Sequence, residues 1–137
     1  MPDLSPAAAQ ALEAALRAHP FGELMGVELE SAGTGRAAVA CTVSARQANL
    51  HGTLHGGVVA ALLDLAMGAA LYTLNVRPLT LELTVTYLAP ANPGDRVTAA
   101  GEVVHLGRRI IVARATLRGP AGTVAGGCGL YLPRGSL

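Results

Sequence analysis

Residues 56–74 read GGVVAALLDLAMGAALYTL, an unbroken run of apolar and small residues in which Asp64 is the only charge. Ala, Leu and Met favour helix, no Pro interrupts the run, and it is apolar on every side rather than along one stripe. It therefore predicts a core helix over residues 55–74, enclosed by the rest of the chain. A membrane span is rejected, because the run is barely long enough, carries an acid near its middle and contains Gly68. A carboxylate among Val, Ala, Leu and Met loses most of its hydration, a large cost unless it is hydrogen-bonded, paired or protonated. Carboxylates in such settings cluster at functional sites, which makes Asp64 the first candidate.

The run is entered through Asn49-Leu50-His51-Gly52-Thr53-Leu54-His55-Gly56-Gly57. A Gly- and His-rich loop leading into a helix offers unpaired backbone N–H groups beside an apolar region. His51 and His55 are four apart, but Gly52 stands where a zinc protease carries its catalytic Glu and the segment is a loop, so no metal site is expected.

Upstream, Ser5 can cap a helix with Pro6 at its first position, and Leu12 and Leu16 share one face before Pro20 ends it. Residues 25–32 and 36–43, joined by Gly33-Thr34-Gly35, predict a hairpin, and residues 44–54 a loop. Downstream of the long helix the period becomes two. Leu81, Leu83, Val85 and Tyr87 are expected on one face, and Thr80, Glu82, Thr84 and Thr86 on the other. Strands at 96–105, 109–117 and 123–132 complete a meander. Two strands, an apolar helix and four strands predict one α+β domain over residues 1–137, with a short N-terminal helix in 1–20 and an antiparallel sheet wrapped around the long helix.

The chain is 51% apolar and 14% charged, so another copy of itself is expected to cover part of its surface. A net charge of +1 and only four aromatic residues argue against nucleic acid and against an anionic membrane surface. All ten basic residues are Arg, which excludes a Schiff-base or P-loop lysine. Cys41 and Cys128 lack CxxC spacing and residues 1–20 lack a signal-peptide pattern, so a reduced, cytoplasmic protein is expected. No Walker, GxSxG or GxGxxG motif occurs.

Asn49-x-x-Gly52-Thr53-x-His55-Gly56-Gly57 with Asp64 eight residues after Gly56 resembles the active-site signature of the hotdog-fold acyl-CoA thioesterases, in the PaaI-like and THEM2-like group. The likeness runs over about residues 21–132 and includes the Thr84-Val85-Thr86-Tyr87-Leu88-x-Pro90 segment. It implies a curved sheet around the central helix, and two subunits whose sheets join in a homodimer that assembles to a homotetramer. It implies that the Gly56 N–H is the oxyanion donor and Asp64 the nucleophile or general base. Asn49 and His55 would be polar groups around the thioester, and Thr80 a hydroxyl that positions water. Acyl-CoA is then the substrate, with small aryl-acetyl or medium-chain acyl groups, and no cofactor or metal is needed beyond the coenzyme A of the substrate itself.

The residues support these roles independently. Thioester hydrolysis builds negative charge on the carbonyl oxygen, and a helix N-terminus presents N–H donors and its positive dipole end to that charge. Gly57 lets the acyl group approach the backbone, and a carboxylate at Asp64 can activate water or attack directly. Each residue also has a plainer reading: Asp64 as a structural cap or ion-pair partner, His55 as a capping residue at the helix start, Asn49 as a turn former, and Arg108 and Arg109 as solvated surface rather than holders of the CoA phosphates. The competing functions are a hotdog dehydratase or hydratase on acyl thioesters, and a non-catalytic acyl-CoA binding module.

Overall fold

The computed structural model describes residues 4–136; residues 1–3 and 137, the ends of the expected 1–137 domain, lie outside the described residues. The first helix, α1 (Pro6–Ala18), starts as its sequence dictates. The Ser5 hydroxyl accepts from the Ala8 N–H at 3.2 Å, Pro6 occupies the first turn, and Leu12 and Leu16 are the buried residues. Pro20, expected only to end α1, instead opens α2 (Pro20–Met25), where His19 Nδ1 accepts from the Gly22 N–H at 3.1 Å. The Ser5-Pro6 pattern is repeated as His19-Pro20, and Met25 therefore belongs to a helix and not to the expected first strand.

The strands are β1 (Glu28–Gly33), β2 (Arg36–Thr42), β3 (Pro78–Tyr87), β4 (Arg96–Leu106), β5 (Ile111–Gly119) and β6 (Gly122–Pro133). They form one antiparallel sheet in the order β1-β2-β4-β5-β6-β3. The long helix α3 (Gly56–Tyr72) connects β2 to β3 at the far edge and touches β2, β3, β4, β5 and β6. One helix can reach that many strands only if the sheet curls around it. This is the α+β hotdog arrangement that the resemblance implied.

The sheet comes closest at Gly101, where a Cβ would lie 2.5 Å from the Ala66 carbonyl oxygen, so β4 rests directly on the α3 backbone. The buried side of α3 carries Leu62, Leu63, Ala66, Met67 and Ala70. Its other side corrects the expectation of full enclosure. Gly57 is exposed, and Ala60, Ala61, Asp64, Leu65 and Gly68 are half-buried. Their spacing of three and four is that of one helical stripe, and a single sheet curled around a helix leaves such a stripe uncovered. Asp64 thus keeps more water than a carboxylate enclosed on all sides.

Cys41 on β2 and Cys128 on β6 are both free, with β4 and β5 between them. Three strand spacings are about 14 Å, twice the reach of a disulfide. No helix among the described residues is long and apolar enough to cross a membrane.

Candidate active site

The open stripe of α3 forms the floor of a cleft of about 470 Å³. Leu12 and Leu16 of α1, with Phe21 of α2, make one bank; Thr80 and Leu83 of β3 make the other. Asp64 and Tyr131 line the cleft between these banks, and Asp64 is the only acid there.

Asp64 is held by two hydroxyls. Tyr131 Oη donates to Asp64 Oδ1 at 2.8 Å and Thr80 Oγ1 donates to the same oxygen at 3.0 Å. The two donors are cross-strand neighbours, since Thr80 on β3 is paired with Tyr131 on β6. A strict period of two would have sent Thr80 away from the helix together with Glu82. The register slips between Thr80 and Glu82, and this bulge turns Thr80 onto the same side as Leu83, facing Asp64. Asp64 Oδ2 has no hydrogen bond among the described residues.

Sequence reasoning passed over Tyr131, counting it only among the sparse aromatics. It is 1% exposed. Burial, then the adjacent Asp64 charge and the hydrogen bond to it, hold its phenol well above the ordinary tyrosine range, so it is a permanent donor. The available signal was a Tyr two residues after Gly129 in the last strand, because a buried Tyr needs a partner for its hydroxyl.

The start of α3 is a second, separate group. His55 caps it, with Nδ1 accepting from the Gly57 N–H at 2.8 Å. The N–H groups of Val58 and Val59 both turn to the His55 carbonyl, at 2.9 and 3.1 Å. Of the first four helical N–H groups, only that of Gly56 lacks an acceptor among the described residues. Asn49 shapes the preceding loop: its Oδ1 accepts from the N–H groups of His51 and Thr53 at 2.9 and 3.1 Å, and its Nδ2 donates to Thr53 Oγ1 at 2.9 Å. Within the chain, His55 Nδ1 is engaged at the helix start and the Asn49 side chain in its own loop.

Thr80 and Asp64 meet, therefore, while His55, Gly56 and Gly57 lie at the start of α3, where of the three only Gly57 lines the cleft, and Asn49 lies in the loop before it. Eight residues of helix separate Gly56 from Asp64, about 12 Å of rise. Arg108 and Arg109 are exposed on the turn between β4 and β5, beside the end of β6 where Ile111 pairs with Tyr131. Neither has an ion pair among the described residues. No group of three His, Cys, Asp or Glu side chains that could hold a metal ion occurs among the described residues.

Against known proteins, the family described as the thioesterase superfamily matches residues 51–125. Acyl-coenzyme A thioesterase PaaI of Escherichia coli is 32% identical over 85 residues, which cover 62% of this chain and 61% of that protein. Its solved structure superposes with a TM-score of 0.88 at 28% identity, covering 94% of each chain. Human acyl-coenzyme A thioesterase 13 is 28% identical over 115 residues, 82% of each protein. The structure of a hypothetical thioesterase from Streptococcus pneumoniae with coenzyme A has a TM-score of 0.77 at 27% identity, covering 80% of this chain and 87% of that one.

Proposed function

Since this chain belongs to the thioesterase superfamily, we propose that it hydrolyses acyl-CoA thioesters to the free acid and coenzyme A. The observation that carries the proposal is Asp64, a carboxylate on the floor of an apolar cleft with one oxygen gripped by two hydroxyls and the other without a hydrogen bond among the described residues. Two relatives are named acyl-coenzyme A thioesterases, and a structural neighbour holds coenzyme A.

The active site is shared between two copies. An oxyanion donor and a base must both lie within about 3 to 4 Å of the reacting group or its water, whereas Gly56 and Asp64 stand about 12 Å apart on one helix. Two helices antiparallel about a two-fold axis bring the partner's Gly56 to Asp64. The open stripe of α3, and Leu79 and Leu81 at 45% and 50% exposure on edge strand β3, offer the surface for a second copy. Two such dimers form the homotetramer.

In the general-base route, water attacks the thioester carbonyl carbon while Asp64 Oδ2 takes its proton. The partner's Gly56 N–H holds the oxyanion; the C–S bond then breaks, and the coenzyme A sulfur leaves with the proton. In the nucleophilic route Asp64 itself attacks, coenzyme A departs, and water cleaves the resulting anhydride. The acyl group is a small aryl-acetyl or medium-chain group lodged between α1, α3 and β3 in the cleft of about 470 Å³, while Arg108 and Arg109 hold the CoA phosphates. Coenzyme A enters as part of the substrate and no cofactor is used. The two free cysteines fit a reduced, cytoplasmic setting.

The test is thiol release from a panel of acyl-CoAs by the purified protein, with enoyl-CoA hydration measured alongside. Asp64→Asn keeps an acceptor for Tyr131 and Thr80, so the fold is expected to survive while turnover falls at least about a hundredfold. Near wild-type hydrolysis by that variant would make Asp64 structural.

A further inference from the structure

Both hydroxyls that reach Asp64 end on the same oxygen, and they come from opposite surroundings. Thr80 is exposed on an edge strand; Tyr131 is 1% exposed and donates from within the core. The Tyr131 ring is itself fixed. It lies across Gly129, where a Cβ would fall 2.6 to 2.9 Å from three of its atoms, so only glycine leaves room for it two residues earlier on the strand. A carboxylate on the open stripe of a helix, facing a cleft, is otherwise free to rotate about its last bond and exchange its two oxygens. A buried, immobile donor removes that freedom.

We infer that Tyr131 is a positioning residue for the proposed hydrolysis: it fixes Asp64 Oδ1 from its buried position on β6, with Thr80 from the exposed edge strand, so that Oδ2 alone meets the water or the thioester. The inference rests on the hydrolytic reading above. It separates the two hydroxyls by role. Thr80 is exposed and can also touch water, while Tyr131, which lines the cleft but is 1% exposed, acts through Asp64. The phenol remains protonated because of burial and the neighbouring carboxylate, so the grip persists over the working pH range.

The experiment is steady-state acyl-CoA hydrolysis by Tyr131→Phe, by Asp64→Asn and by the double variant, with melting curves for each. Phe keeps the ring on Gly129 and removes only the donor. Turnover of Tyr131→Phe is expected to fall about tenfold or more with KM within about twofold of wild type, because an orienting contact to the reacting carboxylate acts in the chemical step. In the Asp64→Asn background the same change is expected to cost nothing further, since there is no reacting carboxylate left to orient; a merely structural loss would multiply in both backgrounds. If Tyr131→Phe does not fold, 3-fluorotyrosine placed at position 131 keeps ring and hydroxyl but alters the donor, and kcat is expected to change with KM constant. Wild-type turnover in Tyr131→Phe, an equal loss in the Asp64→Asn background, or an unchanged kcat with fluorotyrosine overturns the inference and leaves the hydrolytic reading intact. A wild-type protein that releases thiol from none of the acyl-CoAs refutes that reading and this inference together.

Discussion

Two inactive proteins should restore one another's activity if the site is shared across a two-fold axis. The perturbations are Gly56→Pro in one protein and Asp64→Asn in the other. Gly56→Pro removes the one N–H at the helix start that has no acceptor among the described residues, so no internal hydrogen bond is lost. The site accepts the ring: Pro is favoured at the first helical position, and His55 before it is already extended, at φ −62° and ψ 136°. The new Cβ meets the Tyr87 ring at 3.3 Å; that side chain is 55% exposed, and moving it aside gives up only the hydrogen bond its hydroxyl donates to the Gly56 carbonyl at 2.9 Å. Asp64→Asn keeps an oxygen for Tyr131 and Thr80 while removing the base. With about 12 Å of α3 between the two positions, each site of the proposed dimer would draw one residue from each chain. Denatured and refolded together in equal amounts, the proteins form about half mixed dimers. Each mixed dimer carries one site with both lesions and one with neither, so thiol release should reach about a quarter of the wild-type value. The variants refolded separately give the baseline, and mass spectrometry of the native dimers verifies mixing. Verified mixed dimers that stay at the baseline would refute the shared site.

Three further outcomes are expected. Arg108→Ala and Arg109→Ala should raise KM for acyl-CoA more than they lower kcat, with a pantetheine thioester unaffected, because phosphate contacts far from the reacting carbon bind ground and transition states alike; an unchanged KM in both places the nucleotide elsewhere. Gly101→Ala would put a methyl 2.5 Å from the Ala66 carbonyl oxygen and 2.8 Å from the Met67 nitrogen, so α3 must shift away from β4. A stability loss of about 3 kcal/mol is expected by urea titration, with reduced turnover because the helix that must shift carries Asp64. Burial, then Asp64, hold the Tyr131 phenol above its unfolded value near 10, so the unfolded chain releases this proton first as the pH rises. Stability should therefore be intact below about pH 10 and decline above it by up to about 1.4 kcal/mol per pH unit from this group. Tyr131→Phe should lose that slope. The Cys41 thiol, pushed up by burial, contributes with the same sign in both proteins and cancels in the comparison.

Local pattern carried much of the molecule. The apolar run at 56–74 specifies its helix through propensity and the absence of Pro, Ser5-Pro6 specifies the start of α1, and the alternating segments after residue 78 specify strands. Asp64 was conspicuous as the single charge in that run, and the Asn49 to Gly57 loop with it carried the family resemblance. The spacing of Gly56 and Asp64 also limited, through helix rise alone, what one chain can do.

Three features depended on the tertiary arrangement. The direction of Thr80 is set by a bulge, and a bulge arises from how β3 registers with β6, which the alternation within β3 does not contain. The half-exposure of Asp64 follows from which stripe of α3 the curled sheet leaves open, a matter of packing that a helix apolar on all sides cannot reveal. Tyr131 reaches Asp64 across 67 positions of sequence, by way of a sheet order that carries the last strand beside the first strand after the helix. Propensity and periodicity act over a few residues, whereas a hydrogen bond between distant side chains exists only once strand order and register have been chosen by the whole core.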